Sequence, residues 1–108
     1  MANDTLHYLV IVELSGDSSM ERLSQDVPSI LRDMHRLSKV EPMLAFRSKD
    51  GLLFGLFILS DVAPAVLRAE FERSAGSRNG DHMMAFDIGD QHTGTSGFSR
   101  AWTWLQHH

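Results

Sequence analysis

Two stretches of the chain stay apolar on both alternating faces. In "LHYLVIVEL", residues 6 to 14, Leu6, Tyr8, Val10, Val12 and Leu14 share one side, while His7, Leu9, Ile11 and Glu13 share the other. In "LLFGLFIL", residues 52 to 59, Leu52, Phe54, Leu56 and Ile58 alternate with Leu53, Phe57 and Leu59. Period-two alternation rich in β-branched and aromatic residues predicts strands. A strand apolar on both faces belongs at the centre of a sheet.

Between them the period changes. Met20, Leu23, Val27, Ile30, Leu31, Met34 and Leu37 recur at steps of three and four, which predicts a helix with one apolar stripe. Ser18 followed by Glu21 has the spacing of a capping box at its start. Pro28 interrupts the stripe, so a kink or two abutting helical pieces is expected, the second starting near that proline.

Residues 41 to 61, "EPMLAFRSKDGLLFGLFILSD", read as a β-hairpin turning at Asp50-Gly51, where both residues would take positive φ. Its first arm becomes polar at Arg47, Ser48 and Lys49, as an edge strand does. Ser60 or Asp61 is placed to cap a second helix. Pro64 fits its first turn; Val66 or Leu67 with Ala63, Glu70 and Phe71 forms its inner side, and Gly76 is a candidate C-terminal cap. A last strand is expected over 82 to 88, with Phe86 and Ile88 turned to the packed side.

The predicted order is strand, helix, strand, strand, helix, strand. It resembles the ferredoxin-like βαββαβ pattern: an α+β two-layer sandwich, with a four-stranded antiparallel sheet carrying two helices on one face. The two doubly apolar segments match its central strands. The whole chain, 1–108, reads as one domain with a core over about 6–88 and a C-terminal extension over 89–108. Phe98, Trp102 and Leu105 in that extension fall at helical spacing, and Trp102 alternates with Trp104 as in a strand; the helix is the preferred reading.

Such a sheet has a face without helices. Either Leu53, Phe57 and Leu59 or Leu52, Phe54 and Ile58 lie on it, and the tail, a second copy or an apolar ligand must cover it.

Composition removes some functions. The formal charge is -4 and no lysine/arginine cluster occurs, which weighs against nucleic-acid binding. Arg32, Arg36 and Lys39 could share a helical face, but Asp33 and Glu41 sit among them, so that face is read as solvated. There is no cysteine, hence no disulfide, thiolate site or thiol nucleophile. The longest apolar run is too short to span a bilayer, and the N-terminus lacks the pattern of a signal peptide; no membrane association and a cytoplasmic location are expected.

The densest polar cluster is "GDHMMAFDIGDQH", residues 80 to 92, with Asp81, His82, Asp87, Asp90 and His92. A strand at 82 to 88 turns His82 and Asp87 to opposite faces, so the cluster does not converge on a metal ion. His7 and Glu13 share a face but stand roughly 20 Å apart along an extended strand, too far for a dyad. Asp17 reads as a turn residue and His35 as a surface or boundary residue. "SGDSS" and "TGTSG" lack the lysine of a phosphate loop, and no nucleophile elbow is present. No catalytic residue, metal or cofactor is assigned. His107 and His108 are assigned no role.

The expectation is therefore a noncatalytic protein-interaction module: a small acidic protein of accessory, immunity or inhibitor type that forms a homodimer or binds a protein partner. Phe54, Phe57, Trp102 and Trp104 are its candidate interface residues. The alternative is a small dimeric α/β-barrel enzyme or ligand-binding protein, with an apolar pocket whose wall includes His7 or Tyr8.

Overall fold

The computed structural model describes residues 5–17 and 19–88. Strand β1 (Leu6–Glu13) is followed by a helical stretch that passes through a π turn (Arg22–Asp26) into helix α1 (Val27–Leu37). Strands β2 (Met43–Arg47) and β3 (Leu53–Ser60), helix α2 (Pro64–Arg73) and strand β4 (His82–Asp87) complete the order. The strands form one antiparallel sheet in the order β2-β3-β1-β4, an α+β arrangement compatible with the one expected.

The register shows which side chains share a face. Val10 stands between Leu56 on β3 and Ala85 on β4, and Tyr8 and Val12 continue that side. It is the covered side. Tyr8, Val10, Val12, Phe54, Leu56 and Ile58 pack against Ile30 and Met34 of α1 and Leu67 and Phe71 of α2, all at most 4% exposed. Removing each such side chain from water is worth about 1.5–3 kcal/mol, which makes this layer the main source of stability. Tyr8 keeps its one polar atom satisfied there, its hydroxyl donating to the Val62 carbonyl at 2.9 Å. Burial, and then the negative charge of Asp87, push the Tyr8 hydroxyl above its ordinary pKa, so it stays a donor.

The interruption at Pro28 takes a specific form. The Val27 N–H reaches back five residues to the Arg22 carbonyl, directly before a proline that can offer no N–H to the next carbonyl in line. One extra residue in a turn rotates what precedes it by roughly 100°. Consequently the expected stripe breaks: Met20 and Leu23 are exposed, at 82% and 39%, while Arg22 and Asp26 are buried in their place. The Ser19 hydroxyl accepts the Arg22 N–H at 3.1 Å, and Ser18 lies outside the described residues.

The hairpin forms where it was expected, with a longer turn. Gly51 alone takes positive φ (77°), so Asp50 does not complete a two-residue turn of the expected kind. Instead its carboxylate accepts the Ser48 hydroxyl at 2.6 Å and the Leu52 N–H at 3.0 Å, bracing a wider loop. These bonds hold the Asp50 carboxyl below the usual range. Between Leu44 and Phe46 the β2 register slips, and the Phe46 ring lies over Gly55, where a Cβ would collide with it.

At α2 the start and the end differ from expectation. Ala63 is the N-cap residue and its carbonyl takes the Val66 and Leu67 N–H groups. Ser60 instead donates to the Leu37 carbonyl at 2.8 Å, and Asp61 pairs with Lys39 at 3.2 Å. Of the two candidates for the inner side, Leu67 is buried and Val66 is exposed. Gly76 is no left-handed cap: it is buried where a Cβ would meet the backbone of Asp26, so a side chain is excluded by close approach. No helix among the described residues is long and apolar enough to cross a membrane.

Candidate functional site

The second face of the sheet carries His7, Leu9, Ile11 and Glu13 from β1 and Leu53, Gly55, Phe57 and Leu59 from β3. Register adds Met43 and Phe46 from β2 and His82, Met84 and Phe86 from β4. Both described helices pack on the opposite side. Toward the β4 edge this face is open and apolar. Met84 is 55% exposed and Phe86 47%; on the central strands Leu53, at the start of β3, is 36% exposed, whereas Leu9, Ile11, Phe57 and Leu59 are half-buried. Phe86 therefore points away from the packed side where it was expected, because β4 pairs with β1 in the register that turns Met83 and Ala85 to the core.

One end of this face is polar. Glu13 lies directly opposite His82 on one neighbour and Leu53 on the other. A shallow cavity of about 140 Å³ is lined by Ile11, Glu13, Leu53, His82, Met83 and Met84. It adjoins a broad depression of about 490 Å³ that includes Ser15, Ser48, Asp50 and Gly80. An acid and an imidazole at cross-strand spacing can share a proton or a hydrogen bond with a bound group. Sequence inspection passed over this pair, although aligning the two strands antiparallel from end to end places residue 13 beside residue 82.

A second polar cluster is buried. The π turn directs the Arg22 guanidinium inward, where it donates to Asp26 at 2.9 Å, to Asp81, to the Gly76 carbonyl at 3.1 Å and to the Ser15 carbonyl at 3.3 Å. Asp81 also accepts the Ser15 N–H at 2.8 Å, the Ser15 hydroxyl at 2.9 Å and the Arg78 N–H at 2.8 Å. Arg78 in turn pairs with Asp26 at 2.8 Å and with Glu21 at 2.6 Å. Two cations thus face two buried carboxylates, and the links from Arg22 to Asp81, Gly76 and Ser15, from Ser15 to Asp81 and from Arg78 to Asp26 tie together the loop after β1, the π turn and the connection into β4. The cluster is a clasp. With four hydrogen bonds and its charge matched by Arg22, Asp81 fastens the chain.

Burial pushes the Asp81 carboxyl up, but the bonds from Ser15, Arg78 and Arg22 outweigh it and hold the group below the usual carboxylate range. For Arg22 burial favours the neutral form, yet Asp81 and Asp26 raise its pKa further and keep it charged. A carboxyl depressed on folding stabilises fully above its unfolded pKa of about 4, and that contribution is lost as pH falls through the folded value. Urea titrations from pH 6 to pH 2 are expected to show stability falling below about pH 4. Asp81→Asn, weaker at neutral pH, is expected to lose less over that interval; an equal loss would place the acid sensitivity elsewhere.

The candidate residues named from sequence fall on different sides of the sheet or outside the described residues. Phe54 is in the core beneath the helices, 1% exposed, and cannot serve as an anchor on the open face. Phe57 does lie on that face, half-buried. Trp102 and Trp104 lie outside the described residues, as do Asp90, His92, His107 and His108. His7 and Tyr8 point to opposite faces of β1, so one wall cannot contain both. Asp17 and His35 are exposed. Arg36 bridges to Asp33 at 3.2 Å and to Glu70 at 3.0 Å, and Arg32 donates to the Ser29 hydroxyl, so this face is matched by its own acids and hydroxyls. Comparison with family models, with curated proteins and with solved structures finds no match.

Proposed function

We propose that this chain is a noncatalytic interaction module of ferredoxin-like architecture that associates with a second protein chain, in the first instance another copy of itself, through the open side of its sheet. One observation carries the reading: Met84, Phe86 and Leu53 are 55%, 47% and 36% exposed on a face whose neighbouring positions are Leu9, Ile11 and Phe57. Contiguous apolar surface of this kind on a small acidic protein marks a site of association. The chemistry of the other polar groups agrees with it. The buried charges are consumed in the clasp, and Glu13 with His82 forms a polar rim at one end of the apolar area, as interfaces have.

The test is solution mass by light scattering over a dilution series, for the native chain and for Phe86→Asp. The native chain is expected to show a concentration-dependent dimer, and the variant a folded monomer with unchanged circular dichroism. A native chain that remains monomeric at every concentration would overturn self-association.

A further inference from the structure

Among the described residues the sheet has two edges, β2 and β4, and they are not alike. Edge β2 is preceded by Pro42, slips register between Leu44 and Phe46, and ends in Arg47 with Lys49 beyond it. Proline, bulges and basic side chains are the devices that keep an edge from pairing with another chain. Edge β4 has none of them between His82 and Asp87, and its register with β1 is unbroken over all six residues.

The direction of its backbone groups follows from one bond. The Ile88 N–H donates to the His7 carbonyl at 3.0 Å, so His7 and Ile88 form a hydrogen-bonded pair. In an antiparallel ladder such pairs alternate. His82, Met84 and Phe86 therefore bond inward to β1, and the N–H and C=O groups of Met83 and Ala85 point outward along the edge.

We infer that β4 pairs antiparallel with β4 of a second copy about a two-fold axis at Ala85, joining two sheets into one. This rests on the self-association reading and places the contact at the β4 border of the open face, where Met84 and Phe86 stand. Two requirements place the axis on a residue of the strand: the outward groups must meet each other and the helices of both copies must stay on one side, and both demand that residues of equal parity face each other. Among the central positions, Ala85 opposite the partner's Ala85 is the choice that sets the exposed apolar side chains against one another. Met84 then stands opposite the partner's Phe86, and Phe86 opposite the partner's Met84, in non-hydrogen-bonded pairs where side chains approach most closely. The two most exposed apolar side chains of the strand thus cover each other across the axis, as thioether against ring. Alanine at the axis leaves the backbones room to approach.

Two variants test this. Ala85→Pro deletes the outward N–H and leaves every inward bond to β1 in place, so the monomer is expected to keep its circular dichroism while dimer dissociation rises by on the order of tenfold or more. Ala85→Cys, in a chain with no other cysteine, is expected to form a disulfide-linked dimer on mild oxidation, since a hydrogen-bonded antiparallel pair holds its Cα atoms about 5.5 Å apart. Leu44→Cys on the other edge is expected to remain monomeric on a nonreducing gel. A native dimer that persists in Ala85→Pro and gives no link in Ala85→Cys would overturn the edge pairing while leaving self-association standing, now through the middle of the sheet face. A native chain that is monomeric throughout would overturn both.

Discussion

Arg22→Met is expected to cost about 3–5 kcal/mol of folding stability, the range for removing one partner from a buried charge pair. For a domain of this size that is a fall in Tm of roughly 15–30 °C. The reason lies in what is left behind. Asp81, whose side chain is fully buried, and Asp26, nearly so, would face each other's charge with only the partly exposed Arg78 to compensate, and the carbonyls of Ser15 and Gly76 would lose their donor. Methionine fills the stem of the arginine but offers no hydrogen bond. Arg22→Lys is expected to recover only part of the loss, because one ammonium cannot repeat the planar fork that reaches Asp26 and Asp81 together. Urea denaturation of the three proteins measures this directly. A cost under about 1 kcal/mol for methionine would mean that the clasp does not hold the three connections, and that apolar packing alone orders them.

The same clasp shows why part of the structure could be read from sequence and part could not. β1 and β3 were found because their signal is local: alternation over eight residues specifies a strand whatever surrounds it, and apolarity on both faces specifies a central one. The position of the helix was likewise visible, and so was the disturbance at Pro28. Its consequence was not. A periodic count assumes 3.6 residues per turn, and a single π turn is enough to exchange Leu23 for Arg22 on the inner side. Asp81 reads as one member of a polar cluster at 80 to 92 until Arg22, 59 positions away, is seen to close on it. Gly76 reads as a cap until the Asp26 backbone is placed against it. The last two misses have one source: the residue's role is set by a partner distant in the chain.

Face assignment in the strands failed in the same way for the residues that matter most to function. Alternation groups Phe54 with Ile58 and Phe57 with Leu59, but it cannot say which group meets the helices, since both are equally apolar. The helices settle that. With Ile30, Met34, Leu67 and Phe71 packed on the side of Phe54, the open side belongs to Phe57, Met84 and Phe86. An acidic or basic residue in the middle of either row would have marked the outer face, as Glu13 and His82 mark it at one end.

This assignment has a measurable consequence at Phe54. As an interface anchor it would contribute to dimer dissociation and leave the monomer's stability unchanged; as a core residue it does the reverse. Phe54→Ala is expected to cost about 3–5 kcal/mol of folding stability, the range for emptying a buried phenylalanine site. The cause is the loss of the transferred surface together with a cavity beneath the two helices, on a strand already paired on both sides and unable to collapse into the gap. Stability measured in urea at the lowest protein concentration that gives a signal isolates the monomer, and the loss is expected there in full. Phe86→Asp under the same dilute conditions is expected to change stability by less than about 1 kcal/mol, because its side chain is already half in water. The two phenylalanines separate packing from association: one should unfold the chain without regard to concentration, the other should shift only the concentration at which copies meet. If instead Phe54→Ala left the dilute protein as stable as the native chain, the helices would have to cover the other side of the sheet, and the open face would pass from Phe86 to Phe54.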